Sequence, residues 1–411
     1  MNTYSRREAM KKMGYAAIAA GAYSNAPSLL ASPLASPAPT APVAVGTCKT
    51  YNSAELLSTL DRMFDQLGGL QRIVNGKTVA IKINSTGAPT YRVGYLPLGD
   101  THYTNPQVLT AAVHLIGKAG AKRIRILESP WSSAYPLEES LLQADWDPRQ
   151  IASAAPNVEF ENTNFLGKGK KYVRLVVPFG GYLFPAYELN HSYSDCDAFV
   201  SIAKLKEHEG IGFTLSMKNC FGITPCSIYG SNAGIDEPNE DPKGGRVSIL
   251  HDGRRQPSKI APAELNPTSP RQDAYRVPRA VVDLVAARPI DLQIIDGVKS
   301  ISGGEGPWAP GVVVVQPGLL VAGTNPVATD AVCMRLMSLD PMADRGTHPF
   351  ETSDNMLRLA EEAGIGTRDL NRIEVIGARI KDVAVNYAAQ RTPNLMRHGS
   401  LSARGIFAAL T

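Results

Sequence analysis

Apolar and polar positions follow two periods along this chain, one typical of helices and one typical of strands. Apolar residues at helical spacing run through 53–67, and Gly68 follows as a stop signal. A short apolar run predicts a strand over 79–84, and a capped helical pattern over 105–120 precedes a second strand pattern over 123–127. A strand, a helix and a strand in this order predict a parallel sheet.

The same alternation returns in the rest of the chain. We expect further helices over 137–144, 148–154, 278–287, 326–337 and 354–363, and strands over 158–161, 172–177, 198–203, 290–295, 318–322 and 372–376. The expected fold class is therefore α/β, with a mostly parallel sheet flanked by helices. Whether the domain divides into two lobes around a central cleft, with a boundary near residue 185, is left open. The stretch 230–275 is rich in turn residues and has no apolar period, which favours a functional loop or lid.

Composition narrows the choice of ligand more than the choice of fold. The 411 residues are 44% hydrophobic and 19% charged, as in ordinary globular proteins, and the formal net charge is +4. No block of basic residues and no nucleic-acid-binding motif occurs, so we expect a small molecule or ion rather than nucleic acid. Beyond the N-terminal region no apolar run reaches the ~18 residues of a membrane helix, so we expect no stable membrane insertion of the mature chain.

The N-terminal region has the pattern of a leader. Arg6 and Arg7 precede a weakly apolar, uncharged stretch over 13–23, and small residues follow it. This order is typical of a twin-arginine export signal, although Ala9 stands where a bulky apolar residue is usual. We therefore predict that the twin-arginine machinery exports the chain to a periplasmic or extracytoplasmic location. The predicted organisation is a signal and linker over 1–47, a domain over 48–385 and an irregular tail over 386–411.

Candidate chemistry is concentrated in the stretch 195–226. An apolar run over 198–203 predicts a buried strand that ends in a K-L-K-E-H sequence. Side chains alternate along an extended backbone, so Lys204, Lys206 and His208 are expected on one side, just past the carboxyl end of the strand. Lysines in such places are also common as solvated loop charges, and the residues alone leave that alternative open.

The segment that follows adds a fourth basic side chain. Gly210 and Gly212 allow a sharp turn, and 213–221 has the pattern of a short helix. Thr214 and Lys218 would share one face of this helix at a spacing of four residues. We therefore expect Lys218 to reach the same crevice as the three residues of the strand end.

The K-L-K-x-H sequence, followed by T-L-S-M-K-N-C-F-G, resembles the central signature of the domain-of-unknown-function 362 family. The resemblance extends to VAIKIN at 79–84, to the unit 105–129 that ends in ILES, to DGVKSISGGEGPWAPG at 296–311 and to GTNPVATDAV at 323–332. The family has no generally established activity. Many members resemble iron–sulfur proteins because they carry a ferredoxin-like cysteine cluster. This chain has no C-x-x-C-x-x-C run, so an iron–sulfur cluster is not expected here.

Three acids are candidates for the same site. Asp296 follows an apolar strand pattern, a position where open α/β sheets place ligand contacts. Glu305 lies between glycines that allow close approach of a ligand, and the resemblance also implies polar residues in this turn. Asp330 falls on the apolar face of a helix, where a buried carboxylate needs a lysine, hydrogen-bond donors or a metal. Each acid also has a purely structural interpretation, as a turn former or as half of a buried ion pair.

Metal and cysteine chemistry have weaker signals. None of the seven histidines shows the spacing of a known zinc site, so a divalent metal would need residues that are far apart in sequence. The metal candidates are His102, His208, His251 and Asp296. The five cysteines are an odd number, and a bridge between Cys220 and Cys226 is left open.

The resulting hypothesis is an exported protein that binds a small anionic molecule in a Lys/His/Asp cleft, with a divalent metal and enzymatic turnover both left open. His208 and Lys206 are the candidate catalytic residues, because an imidazole can move a proton near neutral pH. The candidate ligand-binding residues are Lys82, Lys204, Lys218, Asn219, Asp296, Glu305 and Asp330. The alternatives are a non-enzymatic exported protein that binds or delivers an iron–sulfur or other cofactor, and a storage protein without turnover.

Overall fold

The computed structural model describes residues 37–131, 135–164 and 171–390, and an eight-stranded sheet lies at its centre. The strands are β1 (Val43–Thr47), β2 (Thr78–Lys82), β3 (Arg123–Glu128), β4 (Val158–Asn162), β5 (Tyr172–Val176), β6 (Ala186–Asn190), β7 (Ala198–Lys204), β8 (Lys206–His208), β9 (Gly212–Thr214), β10 (Leu292–Gly297), β11 (Ser300–Ser302), β12 (Val313–Val315), β13 (Leu319–Gly323) and β14 (Val375–Gly377). The α-helices are α1 (Ser53–Gln66), α2 (Gln71–Val74), α3 (Pro106–Lys118), α4 (Leu137–Gln143), α5 (Pro148–Ala152), α6 (Ser216–Asn219), α7 (Cys226–Tyr229), α8 (Asp273–Ala287), α9 (Pro326–Leu336), α10 (Met356–Glu362), α11 (Ile380–Val383) and α12 (Tyr387–Gln390).

The order of strands in the main sheet is β14-β1-β13-β10-β7-β2-β3-β4. Five strands, from β10 through β4, run parallel, whereas β13 runs antiparallel to both of its neighbours. Two-stranded hairpins β5-β6, β8-β9 and β11-β12 lie outside this sheet. The predicted α/β class with a mostly parallel sheet is confirmed.

Strand β7 is central because both of its faces are covered. All seven of its residues are buried. Val200 and Ile202 belong to the hydrophobic core that contains α1 and α3, while Phe199 and Ala203 belong to the core that contains α8, α9 and α10. Each large aliphatic side chain buried in this way contributes about 1.5–3 kcal/mol to folding. The double coverage explains why the sequence here is an unbroken apolar run.

The chain from Ala38 onward forms one compact unit. It includes residue 185, whose carbonyl accepts a hydrogen bond from the Val177 amide at 2.9 Å in the β5-β6 connection. Within the described residues, no helix is both long enough and apolar enough to cross a bilayer. The proposed export signal, including Arg6, Arg7 and Ala9, lies outside the described residues.

The expected domain boundaries need correction at both ends. The residues assigned to a linker include β1, which pairs with β13 and β14, and Val43, Ala44 and Val45 are fully buried. The expected irregular tail begins with α12, where the buried Tyr387 hydroxyl donates to the Leu205 carbonyl at 2.9 Å. Both segments gain their structure from partners distant in sequence, and residues 391–411 lie outside the described part of the chain.

The helix expected over 213–221 is also wrong. Phe213 lies in β9, which pairs with β8 so that Lys206 is opposite Thr214 and Glu207 is opposite Phe213. Helix α6 therefore begins only at Ser216, and a 3-10 turn, Cys220–Ile223, continues from it. The hairpin requires extended backbone at Phe213 and Thr214, so Thr214 cannot share a helix face with Lys218.

Candidate functional site

The strand order brings polar side chains together at one edge of the sheet. Lys82, Glu128 and Lys204 each end a strand, and Asp296 stands one residue before the end of β10. Since β2, β3, β7 and β10 are parallel neighbours, their carboxyl ends meet at the same edge. Open α/β sheets bind ligands at this edge.

Lys204 and Asp296 form a closed, fully buried ion pair. Lys204 Nζ lies 2.8 Å from Asp296 Oδ2 and donates to the Gly99 carbonyl at 2.6 Å and to the Tyr51 hydroxyl at 3.0 Å. The carboxylate also accepts the Asn105 amide at 2.9 Å. Burial lowers the pKa of Lys204, and the charge of Asp296 opposes that effect. These atoms have their partners within the protein, so this pair braces the strand ends.

A second buried pair joins the ends of β2 and β3. Lys82 Nζ lies 2.6 Å from Glu128 Oε1, and it also donates to Asn219 Oδ1 at 3.3 Å. Glu128 Oε2 accepts the amide and the hydroxyl of Ser85 at 3.1 and 2.9 Å. A Cβ on Gly222 would lie 3.0 Å from Lys82 Nζ, so glycine leaves room for the lysine head group. Burial lowers the pKa of Lys82 despite the nearby glutamate.

Lys206 differs from both of these lysines because its Nζ contacts only backbone oxygens. It donates to the His102 carbonyl at 2.7 Å and to the Glu305 carbonyl at 2.9 Å. Among the described residues, no carboxylate forms an ion pair with it. Burial lowers the pKa of Lys206 well below its usual value; the charge of Glu305 opposes this effect, and Lys218 and Lys204 add to it. A positive charge here lacks a counter-charge within ion-pair distance.

His208 and Glu305 form an imidazole–carboxylate pair next to Lys206. His208 Nδ1 lies 3.4 Å from Glu305 Oε2, while the Trp308 indole N–H donates to Glu305 Oε1 at 2.6 Å. Burial lowers the pKa of His208, with Lys218 acting in the same direction against the charge of Glu305. At neutral pH this pair is therefore a neutral imidazole beside a carboxylate.

Lys218 and Arg246 also lack carboxylate partners in the described part of the chain. Lys218 Nζ lies 4.4 Å from the centre of the Phe221 ring. Burial lowers the pKa of Lys218 to about 8; the charge of Glu305 opposes this effect, and the charges of Arg246 and Lys82 add to it. The Arg246 guanidinium donates to neutral oxygens of Thr224 and Ser129 at 2.6–3.1 Å. We call Lys206, His208, Lys218, Arg246 and Glu305 the basic cluster.

Two buried polar atoms, His102 Nε2 and Asn84 Oδ1, have no hydrogen-bond partner among the described residues. The carbonyl of His102 accepts from Lys206, and Asn84 shares the oxygen of Asn219 with Lys82. The His102 ring is fully buried, and its Nδ1 lies 3.1 Å from the Thr101 hydroxyl. Burial lowers the pKa of His102, and Lys206 and Lys204 lower it further. Unsatisfied buried polar atoms are uncommon in native proteins, so they mark places where a ligand or water binds.

The structure does not bring the four metal candidates into one site. No group of three or more His, Cys, Asp or Glu side chains suited to a metal occurs in the described ranges. Asp296 holds Lys204, and His208 faces Glu305. His251 Nδ1 lies 3.6 Å from Asp273 Oδ2, and its ring packs edge-on against Phe221. A bound divalent metal stays a prediction.

Asp330 is held by hydrogen-bond donors, one of the kinds of partner expected for it. It accepts the Ser216 amide and hydroxyl at 3.0 and 2.6 Å and the Met217 amide at 2.9 Å. These donors belong to the first turn of α6, and no described lysine pairs with Asp330. Burial raises the pKa of Asp330 to about 7, although the donors act against this. Of the three kinds of partner expected for Asp330, the structure supplies hydrogen-bond donors, and through them Asp330 positions the helix that carries Lys218 and Asn219.

Asn219 and the cysteines complete the account of the predicted residues. The Asn219 amide donates to the Ser201 hydroxyl at 3.0 Å, and its oxygen accepts from Lys82 and Asn84, so it connects β2, β7 and α6. All five cysteines lie in the described residues, and no disulfide joins Cys220 to Cys226 or any other pair.

Sequence reasoning missed Glu128 and Arg246. Glu128 ends a parallel strand, and the same signal that identified Asp296 identifies it. Arg246 lies in the glycine-rich stretch 230–275, where no periodic pattern indicates which side chain turns inward. That stretch is tied to the fold by the buried Glu264, which forms an ion pair with the buried Arg276 of α8.

The fold and this site define an α/β protein with a buried basic cluster at the carboxyl edge of its parallel strands. Residues 79–335 match the model of the family described as Domain of unknown function (DUF362). The chain belongs to this family, as the signature and its flanking segments predict.

Other comparisons give more distant similarities. The thylakoid-associated protein sll1697 of Synechocystis sp. is 24% identical over 294 residues, which cover 71% of this chain and 73% of that protein. A solved structure of the lactate racemase apoprotein from Thermoanaerobacterium thermosaccharolyticum is 13% identical with a TM-score of 0.35, and covers 69% of this chain and 54% of that one. A Thermotoga maritima protein structure is 14% identical with a TM-score of 0.30, at 61% and 51% coverage. This chain thus covers about half of each solved chain.

Proposed function

We propose that this protein is exported and binds a small anionic molecule at the basic cluster. One observation carries the proposal: the charges of Lys206, Lys218 and Arg246 act on one another, since Lys218 lowers the pKa of Lys206 and Arg246 lowers the pKa of Lys218, and none of the three forms an ion pair with a carboxylate of the described residues. The charge of Glu305 offsets this repulsion only in part. Two unlike charges about 4 Å apart gain roughly 4 kcal/mol in a protein-like environment, and like charges lose a similar amount. A carboxylate or phosphate group supplies the missing negative charge and accepts several hydrogen bonds from the lysines.

The same cluster is suited to proton transfer once an anion is held. His208 is a neutral imidazole whose Nδ1 accepts the Gly210 amide at 3.3 Å and lies 3.4 Å from Glu305 Oε2. An anion held by Lys206 and Lys218 would lie next to this ring, within reach of a general base. We therefore propose His208 and Lys206 as the residues that act on the bound molecule, with Lys82 and Asn219 as supports.

Calorimetric titration with oxalate and with orthophosphate tests the binding proposal. We expect saturable binding of at least one of them to the full-length protein. Lys218→Met removes one cation that faces the anion, and the loss of a charged hydrogen bond lowers affinity about 10- to 100-fold. Lys259→Met is the matched control, because Lys259 is 72% exposed and pairs with Asp236 at 2.7 Å. Equal affinity in the parent and in Lys218→Met would contradict the proposal.

The competing function, binding or delivery of an iron–sulfur unit or other cofactor, has its own test. Protein purified without air is analysed for colour, iron and acid-labile sulfide, and for divalent metals by mass spectrometry. We expect a colourless protein, because the five cysteines are not arranged as a ferredoxin loop. A brown protein with stoichiometric iron and sulfide would support the competing function instead.

A further inference from the structure

Three partly exposed aromatic side chains from three separate loops contact one another above the carboxyl ends of the strands. The ring centres of Tyr91 and Trp131 are 5.9 Å apart, and those of Tyr91 and Trp308 are 6.1 Å apart. Tyr91 follows β2, Trp131 follows β3 and Trp308 follows β11. We call these three residues the aromatic wall.

The backbone is shaped to receive these rings. A Cβ on Gly87 would lie 2.5 Å from a Trp308 ring carbon, and one on Gly306 would lie 2.4 Å from another. A Cβ on Gly245 would lie 2.1 Å from the Trp131 indole nitrogen. Real Cβ contacts are essentially never this short, so glycine is required at each of these positions. Glycines in three loops therefore leave the space that two indole rings occupy.

The aromatic wall is continuous with the basic cluster. The Trp308 indole donates to Glu305 at 2.6 Å, and the Trp308 ring lies 5.8 Å from the ring of His102, whose carbonyl accepts from Lys206. Trp131 packs on Gly245, which precedes Arg246. A molecule whose anionic group lies at the lysines thus has its remaining atoms close to the rings.

The aromatic wall lies apart from the two hydrophobic cores of the described residues. Its three residues belong to neither of these cores and keep part of their surface exposed. The loop that carries Tyr91 is nonetheless held in place, because Tyr103 donates to the Gly87 carbonyl at 2.8 Å and Arg92 pairs with Asp145 at 2.7 Å. Rigid, partly exposed aromatic rings beside fixed charges are typical of ligand sites.

We propose that the ligand of this site is an anion that carries a planar aromatic ring, and that the aromatic wall stacks on that ring. This inference rests on the proposed function, because the basic cluster must hold the anionic group. Stacking on aromatic side chains adds affinity without a net charge. The wall therefore selects among anions of equal charge by the ring they carry.

Paired anions of equal charge test the inference. Phenyl phosphate is compared with methyl phosphate, and benzoate with acetate, by calorimetric titration of the full-length protein. We expect the aromatic member of the binding pair to bind roughly tenfold more tightly. Tyr91→Leu should remove this preference without changing the affinity for the aliphatic member, since Tyr91 packs on Trp308 and it is Trp308 that donates to Glu305. Tyr91→Phe keeps the ring and should keep the preference.

Tyr95→Leu is the matched control, because Tyr95 lies in the same loop and is fully exposed. It should leave both affinities unchanged. Equal affinities for the aromatic and aliphatic members in the parent protein, or a preference that survives Tyr91→Leu combined with Trp308→Leu, would overturn the inference and leave the proposed function intact. Failure of all four anions to bind would overturn both the inference and the proposed function.

A measurement on the parent protein serves if the variants do not fold. Phenyl phosphate should protect tryptophan emission from acrylamide quenching, and equal protection by methyl phosphate would overturn the inference.

Discussion

Lys204 and Lys206 are two residues apart and equally buried, yet their charges are balanced differently. Lys204 has a carboxylate at 2.8 Å, whereas Lys206 has two backbone carbonyls. Breaking a buried ion pair by removing one partner is strongly destabilising, because the other charge stays buried. Removing Lys206 leaves two backbone carbonyls without a donor, which costs less than an unpaired buried charge. The two lysines therefore differ in their consequences for folding and binding.

Methionine substitutions separate these roles. Lys204→Met should lower the free energy of unfolding by about 3–5 kcal/mol, because Asp296 loses its cation. Lys206→Met leaves two backbone carbonyls without a donor but no charge without its partner, so it should lower the free energy of unfolding by about 1–2 kcal/mol, and it should abolish anion binding. Urea denaturation followed by circular dichroism measures both. Similar losses in the two variants would show that Lys206 is also a structural cation.

The pKa of Lys218, lowered from 10.5 to about 8, makes anion affinity depend on pH. In the unliganded fold burial disfavours the charged form of Lys218, and this lowers the free energy of unfolding. The penalty disappears as the pH rises from about 8 to 10.5, because Lys218 then loses its proton. A bound anion favours the charged form, so binding above pH 8 takes up a proton. Oxalate affinity should be constant just below pH 8 and fall about tenfold per pH unit above it.

Calorimetry in two buffers with different ionisation heats measures the proton uptake, and oxalate is suitable because it is fully ionised throughout this range. Lys218→Met should lack the step at pH 8. A step that persists in this variant would assign the titration to another group.

At the scale of elements, α6 depends on a carboxylate that lies far away in the sequence. Asp330 in α9 accepts three hydrogen bonds from the first turn of α6, whose own residues provide no side-chain cap. Helix α6 carries Lys218 and Asn219, so Asp330 sets the position of both. The coupling runs between two helices rather than between Asp330 and a ligand.

Substitution of Asp330 should therefore affect folding first. Asp330→Ala leaves three buried donors without an acceptor and should lower the free energy of unfolding by about 2–5 kcal/mol. The pKa of Asp330 is raised from 3.8 to about 7, so protonation stabilises the fold and that contribution is lost as pH rises from 3.8 through about 7. Thermal denaturation across this range should show a slope that is absent in Asp330→Asn. An identical slope in that variant would contradict the assignment.

Elements with strong local patterns were predictable, and those that depend on distant partners were not. Helices α1 and α3 show caps and an apolar face in the sequence, and the central strand β7 shows an apolar run. Strand β1 has five small or β-branched residues in a stretch that resembles a linker. Its identity as a strand comes from β13 and β14, at the other end of the chain.

The same distinction applies to the candidate site. Lys204 and Asp296 were predicted to lie at the same edge of the sheet, because parallel strands bring their carboxyl ends together. The aromatic wall had no signal, because Tyr91, Trp131 and Trp308 lie in loops without a period. The partner of Asp330 was missed because backbone donors leave no trace in a sequence pattern.

At the scale of the whole molecule, the start of the fold can be separated from the predicted leader. A chain that begins at Ala38 keeps β1 and should fold with unchanged circular dichroism and unfolding midpoint. A chain that begins at Cys48 lacks β1, leaves β13 and β14 without their shared neighbour and should not fold to the native state. Native folding of the shorter chain would show that β1 is dispensable.

Export is tested in the cell. Replacement of Arg6 and Arg7 by lysine should keep the protein in the cytoplasm without altering its fold, because the twin-arginine machinery recognises the arginine pair. Fractionation followed by immunodetection measures this. Periplasmic levels equal to those of the parent would contradict the export prediction.

The position of β1 also determines when the main sheet can be completed during protein synthesis. Val43 is opposite Gly323 on one side and Val375 on the other, so both partners emerge from the ribosome long after β1 does. In the nascent chain β1 must stay unpaired until its partners have been synthesised. Closing so long a loop is entropically costly, and only the contacts of the completed sheet offset that cost. A leader attached just before that strand would thus be joined to the last part of the sheet to close. Completion of translation would then precede translocation.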